Sequence, residues 1–409
     1  MTAVTQHPGD LLTRRRRVAT IVVLGLLTAL GPFTIDLYLP AFPVLADDLG
    51  ATDGQVQLTL AATTLGFALG QLVLGPLSDR VGRRWPLVAT STLHVLTSIA
   101  IAVAPNVEML TVLRVLQGLG AAGGAVVAMA MVRDLFSGRS LVVYLSRLAL
   151  IMGLAPILAP VIGSWLLGVT QWRGIFWVLA LYGAVVILLV ATLLRETLPP
   201  ERRLRMGAGT LGSYRRVLGD RRFVGVAIIG SSGFAGIFSY LSTSPLLLQE
   251  VYGLSATEFG AVFAVCSVGV FIGVQTSSRL ATRIGPQWVL AGSTAGMVAA
   301  AILMLVLDRS GFGLAGFIPA MVMFTLSFGL TMPCVQVLAL VEHGSEAGTA
   351  ASLIGASNML LASVVGGVIG NFAVQDAVPM GAVMLGGGLL ATLSLWVLVR
   401  PRTVPALAD

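Results

Sequence analysis

The sequence predicts an all-α integral membrane protein with twelve transmembrane helices in two pseudo-symmetric six-helix bundles. Three observations predict it. The 409-residue chain is 56% hydrophobic and 11% charged, with a mean hydropathy of +0.93, whereas a soluble domain carries roughly 25% charged residues. Its apolar runs, at ~20 residues for each crossing, suffice for about a dozen spans. A shift of 203 residues also lays Gly70 on Gly273, Leu77 on Leu280, Arg80 on Arg283 and Gly82 on Gly285.

Taken in order, the apolar runs between polar segments place span 1 at Val18–Leu39 and span 2 at Gln55–Leu77. Span 3 is Pro86–Ala104, span 4 Val107–Val132, span 5 Leu141–Val169 and span 6 Gly174–Leu194. A polar segment, Arg195–Arg222, follows. Span 7 is Phe223–Gln249, span 8 Thr257–Leu280, span 9 Trp288–Leu307, span 10 Gly313–Val341, span 11 Ala347–Val374 and span 12 Pro379–Val399. The domain reading is an N-terminal bundle over 1–194, a cytoplasmic linker over 195–222 and a C-terminal bundle over 223–409. The Arg14–Arg17 run and the apolar stretch after it imitate a signal peptide, but the stretch is long and no small-residue cleavage site follows, so it is read as a retained first helix.

The positive charges test this topology. All 25 basic residues are arginine. With the N-terminus in the cytoplasm, only Arg173 and Arg309 fall in outer loops and Arg114 within a span; every other arginine lies on the inner side. That bias obeys the positive-inside rule and places both termini in the cytoplasm. Arginines spread over loops do not form a nucleic-acid surface. Cys266 and Cys334 lie in apolar spans, so no disulfide is expected, and three scattered histidines offer no metal cluster.

The turn between spans 2 and 3 reads Gly70-Gln-Leu-Val-Leu-Gly-Pro-Leu-Ser-Asp-Arg-Val-Gly-Arg-Arg84. Gly70 and Gly75 let another helix come close, Gly82 permits a tight turn, and Asp79, Arg80, Arg83 and Arg84 are charged. The corresponding turn in the second half is decayed: Thr282 replaces the acid, and Pro286 and Gln287 replace the last two arginines.

Two charges lie within spans, where charge is costly and usually functional. Asp36 sits about 27 Å along the helix axis from Val18, and Arg114 about 10 Å below Val107 on a helix descending from outside. Both belong to the outer third of the bilayer and can pair. A wetted, inert surface carboxylate is the alternative for Asp36, and a structural pin for Arg114. Gln117, one turn from Arg114, faces the same way. Span 5 carries Gly153-Leu-Ala-Pro-Ile-Leu-Ala-Pro-Val-Ile-Gly163, in which Pro156 and Pro160 leave carbonyls unpaired and the helix bendable. Phe33, Tyr38, Phe234, Phe238, Tyr240, Gln336 and Asn358 are candidates for a cavity wall, with Ser239 and Ser242 beside them. Helix-to-helix bonding or packing is the alternative for each.

The turn ending at Arg84 resembles the signature loop of the major facilitator superfamily, G-x-L-x-x-P-x-x-D-R-x-G-R-R. Arg114-Val-Leu-Gln-Gly118 resembles the R-x-x-Q-G motif of the superfamily's drug exporters, and the Gly153–Gly163 run their span 5 antiporter motif, with Ala155 and Ala159 where glycine is usual. The L-A-P-x-L-A-P form, Thr34-Ile-Asp-Leu-Tyr-Leu-Pro40, Arg133-Asp-Leu-Phe136 and Ala347–Gly355 are similar to the bicyclomycin and chloramphenicol resistance branch. That resemblance implies two six-helix halves rocking about a central cavity, a proton antiporter for drugs or amphiphilic metabolites, and a role for the arginine in proton transfer. It also implies a loop whose Asp79 docks on the start of span 11 when the inner gate shuts. Some members carry a second acid two turns before Asp36; here that position is Thr28.

Other functions fit less well. No G-x-x-x-x-G-K-[ST] is present, so a gradient must supply energy. A symporter for a sugar or small acid would line its cavity with more carboxylates and amides. An intramembrane zinc hydrolase would need H-E-x-x-H or clustered acids, and a receptor has no need of a duplicated charged loop. The expectation is therefore a monomeric transporter in the inner or plasma membrane, not an enzyme, with no cofactor besides the proton as coupling ion and with a small-molecule drug or metabolite and the lipid bilayer as its partners.

Overall fold

The computed structural model describes residues 9, 13–203, 210–341, 347–372 and 374–404. Residues 204–209 of the predicted linker lie outside them. Fourteen α-helices follow in order: α1 (Arg14–Asp36), α2 (Phe42–Leu49), α3 (Asp53–Val81), α4 (Arg84–Ala102), α5 (Val107–Leu135), α6 (Gly138–Leu167), α7 (Trp172–Leu193), α8 (Thr210–Gly219), α9 (Arg221–Leu246), α10 (Ala256–Ile284), α11 (Pro286–Arg309), α12 (Gly313–Val341), α13 (Ala347–Ile369) and α14 (Val378–Ser394). Twelve of the described helical segments are long and apolar enough to cross a membrane, α1 and α2 counting as one.

Two helices were not anticipated. α8 is an extramembrane helix within the polar linker, and α2 continues the first span after a break. The break has a chemical cause. Pro40 lacks the N–H that would bond the Asp36 carbonyl, so α1 stops at Asp36, short of the predicted Leu39. A single 3₁₀ turn, Leu39–Ala41, then leads into α2.

The repeat seen in the sequence is also a structural repeat. α3 and α10 both have 29 residues and both open with a capping box, Thr52 with Gln55 and Ser255 with Glu258. Each box pairs two otherwise unsatisfied helix-end groups. Both helices end on a glycine at positive φ, Gly82 at 103° and Gly285 at 87°, a conformation that costs other residues energy. In the first half α3 and α4 pack on α5, α4 on α7, and α1 on α5 and α6; in the second, α10 and α11 pack on α12, and α9 on α13 and α14. Close approach depends on missing side chains. A Cβ added at Gly66 would stand 1.9 Å from the Val115 carbonyl oxygen, and one at Gly273 2.3 Å from that of Leu326.

α3 against α13 and α6 against α10 join the halves. The end bearing Gly82 and Gly285 is called inner here. At the outer end one apolar cluster crosses between halves, from Phe42 and Leu60 to Leu246, Met304 and Ala377. At the inner end each half has its own cluster, around Leu87 and Met131 in the first and Val289 and Val335 in the second. Outer contacts between halves include Gln249 Nε2 donating to the Pro40 carbonyl at 3.2 Å.

Candidate functional site

The interruption of α1 organises the site. A helix that stops leaves its last carbonyls without N–H partners and presents the negative end of its dipole. Arg114 of α5 meets this end, with Nη1 donating to the Thr34 carbonyl at 3.0 Å. The same nitrogen donates to Gln117 Oε1 at 2.6 Å. Gln117 Nε2 donates in turn to Ser98 Oγ at 2.8 Å, and Ser98 Oγ to the His94 carbonyl at 2.6 Å. The guanidinium carbon lies 4.0 Å from the centre of the Tyr38 ring and 5.7 Å from that of Phe176. Stacking of this kind partly replaces lost hydration of the cation. Tyr38 is held by a 3.0 Å hydrogen bond between its hydroxyl and Thr59.

Asp36 is 4% exposed, and its Oδ1 has no hydrogen-bond partner. The direct pairing expected of Asp36 and Arg114 is absent: among the described residues the ion pairs are Arg83–Asp79, Arg83–Asp134 and Arg173–Asp48. Arg114 instead caps the end of α1, and its Nε and Nη2 make no hydrogen bond. The reason lies in the helix break, which offers the arginine a nearer acceptor in the Thr34 carbonyl. The two charges still belong to one site, since Arg114 holds the Thr34 carbonyl two residues before Asp36. An unsatisfied carboxyl oxygen and two unsatisfied guanidinium nitrogens buried at one site form a costly arrangement. A proton, a substrate donor or a rearranged pair would relieve it.

The remaining wall candidates are placed variously. Gln117 and Tyr38 belong to the Arg114 network. Phe33 packs 5.8 Å from the Tyr182 ring. Phe238 is buried where the halves meet, beside Gly366 of α13. Tyr240 is stacked on Phe263 at 5.2 Å, with its hydroxyl unpartnered. Ser242 Oγ reaches Gln57 across the two halves at 3.4 Å. Phe234 lies 6.2 Å from Phe328. Asn358 accepts a 3.1 Å hydrogen bond from Ser231, a link between α9 and α13. Ser239 turns back to the Gly236 carbonyl, and Gln336 is exposed. In α6, Pro156 and Pro160 sit inside a continuous helix. Gly163 abuts the Leu37 carbonyl, one residue past Asp36, whereas Gly153 faces open space.

The inner loop forms a second constellation. Arg83 Nη1 contacts Asp79 at 2.5 Å and Ser78 at 2.9 Å, and its Nε donates to Asp134 at 2.9 Å. Glu196, just past α7, accepts from the backbone N–H of Arg83 at 2.8 Å and of Arg84 at 3.1 Å, and so caps α4. Burial would raise the Glu196 carboxyl; the backbone N–H groups of Leu198, Arg83, Arg84 and Thr197 outweigh it and hold the carboxyl below the ordinary glutamate value. Arg84 itself donates to the Ala191 carbonyl at 2.5 Å. Arg80 also has an interaction, and Gly75 lies 3.7 Å, as measured from an added Cβ, from Val126. Asp79 is 39% exposed, and among the described residues it makes no hydrogen bond to α13. Glu196 and His94 were not singled out from the sequence. The argument that flagged Arg114, a titratable group inside a span, applies equally to His94; Glu196 carries no such signal.

Comparison with known proteins places the chain. The Major Facilitator Superfamily model matches residues 24–367. An uncharacterized MFS-type transporter, YdgK, of Bacillus subtilis is 36% identical over 95% of this chain and 98% of its own. A bicyclomycin resistance protein homolog of Haemophilus influenzae is 28% identical over 88% of this chain and 91% of its own. Among solved structures, the partially occluded inward-open xylose transporter XylE of E. coli superposes with a TM-score of 0.75 at 14% identity, covering 95% of this chain and 98% of the other. That likeness concerns fold alone. The chain is a multi-pass membrane transporter and belongs to the major facilitator superfamily.

Proposed function

We propose that this transporter is a secondary active exporter that exchanges inward-moving protons for an outward-moving drug or amphiphilic metabolite by alternating access. The observation that carries the reading is Asp36: a buried carboxyl with an unsatisfied oxygen, at a helix end shared with Arg114. The similarity to a bicyclomycin resistance protein homolog supports the substrate class. One carboxyl serves both cargoes. Facing outside, it takes a proton; facing inside, a cationic or neutral substrate displaces that proton to the cytoplasm, and competition for the group is the coupling. The separate inner clusters and the shared outer cluster suit the inward-facing stage of this cycle. The arginine distribution supports a plasma or inner membrane protein with both termini in the cytoplasm, working as a monomer without nucleic acid or a bound cofactor.

Asp36→Asn tests the reading, because it mimics the permanently protonated form. Proton-driven efflux from vesicles is expected to vanish while some binding of neutral substrates persists. Full proton-coupled transport by the variant would overturn the proposal. Expression in a pump-deficient strain, grown against an antibiotic panel, identifies the substrate.

A further inference from the structure

His94 of α4 is completely buried beside the Asp36 site. Its Nε2 lies 2.8 Å from Thr34 Oγ1. The same hydroxyl oxygen lies 2.6 Å from the Leu30 carbonyl. A hydroxyl has one hydrogen to give. Were it aimed at His94, the Thr34 and Leu30 oxygens would face each other at 2.6 Å without a proton between them, which is repulsive. The hydrogen therefore goes to Leu30, and Thr34 Oγ1 accepts from His94 Nε2–H.

This fixes the tautomer. Nδ1 is the unprotonated nitrogen of a neutral ring; it is buried and has no partner. Gly183 of α7 covers it: a Cβ added there would stand 3.1 Å from Nδ1. The charged and titratable groups nearby are Asp36 and Tyr38 at the end of α1 and Arg114 on α5, which also acts electrostatically on the ring, with Tyr182 next to Gly183 on α7.

Thr34 is thus gripped twice, two residues before Asp36. Arg114 holds its carbonyl and His94 its hydroxyl, from two different helices. We propose that His94 is a positioning residue for the proton-exchange carboxyl, acting as a fixed Nε2–H donor that sets the end of α1 and does not itself carry the transported proton. The proposal rests on the antiport reading above and names a further residue of that site. A glutamine at position 94 can offer its amide N–H from nearly the place of Nε2; asparagine is too short, and alanine offers nothing.

The test has two arms. In ¹⁵N spectra of histidine-labelled protein, the signal absent from His94→Gln is expected to be a neutral Nε2–H imidazole that does not titrate between pH 8 and 5. In proteoliposomes loaded with a pH-sensitive dye and driven by a substrate from the antibiotic panel, His94→Gln is expected to keep the wild-type pH profile. His94→Ala and His94→Asn are expected to shift it and to lose about tenfold in turnover or more, as small misplacements of a reacting group do. An Nδ1–H or titrating ring, a His94→Gln variant as defective as His94→Ala, or an unshifted profile in His94→Ala would each overturn the proposal. Failure of the antiport reading is distinguishable: Asp36→Asn would then retain coupling, whatever the spectra show.

Discussion

Gly163 and Gly153 lie on the same helix, and adding one methyl group to each separates packing from helix propensity. At Gly163 a Cβ would stand 1.9 Å from the Leu37 carbonyl oxygen, 3.0 Å from its carbon and 3.4 Å from Pro40 Cδ. A carbon–oxygen contact closes at about 3.3 Å, so the two backbones must part by roughly 1.4 Å. The oxygen cannot swing aside, because it belongs to backbone and not to a flexible side chain. Such overpacking costs about 1–3 kcal/mol, and the displaced segment carries Asp36. A misplacement near 1 Å at a reacting group can cost roughly 100-fold in rate. Gly163→Ala is therefore expected to lower proton-driven exchange by about that factor in vesicles with matched protein content. At Gly153 nothing lies within 4 Å of an added Cβ, so Gly153→Ala is expected to leave exchange unchanged and to add roughly 0.5–1 kcal/mol of helix stability. Wild-type turnover in Gly163→Ala, or an equal loss in both variants, would refute the reasoning.

The other expectations concern charge. Arg114→Ala should shift the pH dependence of substrate binding, measured by fluorescence titration, because the cation beside Asp36 is gone; an unchanged profile would separate the two residues. Asp79→Asn should leave the protein folded but increase cytoplasmic labelling of single cysteines introduced at the inner end, if Asp79 docks on α13 when the inner gate closes; unchanged labelling would remove the latch. Glu196→Gln should destabilise the detergent-solubilised protein at neutral pH by ~0.5–1 kcal/mol, within the usual worth of a helix cap. Since the folded carboxyl sits below its ordinary value, this contribution is complete above about pH 4.3 and is lost as pH falls through the folded value. The thermal-unfolding difference between wild type and variant should thus close at acid pH; a difference independent of pH would contradict it.

The spans and the repeat were legible in the sequence because they follow from composition and from glycine and arginine positions, which the bilayer constrains directly. Asp36, Arg114 and Gln117 were legible because polar groups are costly there. The partners of Arg114 were not. The carbonyl it holds lies in the last turn of α1, next to the break before Pro40, a local feature inside an otherwise uniform apolar run. α2 was hidden for the same reason. Glu196 was hidden because its ligands are backbone groups 112 and 113 residues away in the chain, and backbone groups carry no signature in side-chain sequence.

The decayed second copy of the inner loop has a mechanical consequence. In the first half, Glu196, Asp134, Asp79 and Arg83 tie the ends of α3, α4, α5 and α7 together through charge-assisted bonds. In the second half the matching turn keeps Arg283 but has Thr282, Pro286 and Gln287 in place of the acid and the last two arginines, with Gln287 folded over Gly285 and its Oε1 unpaired. Among the described residues, ion pairs brace the turn after α3 and none braces the turn after α10. The turn of the first half is therefore expected to deform less than its counterpart when the halves move, because ion pairs tie its ends. High salt is expected to weaken this brace, since Asp79 is reached by solvent.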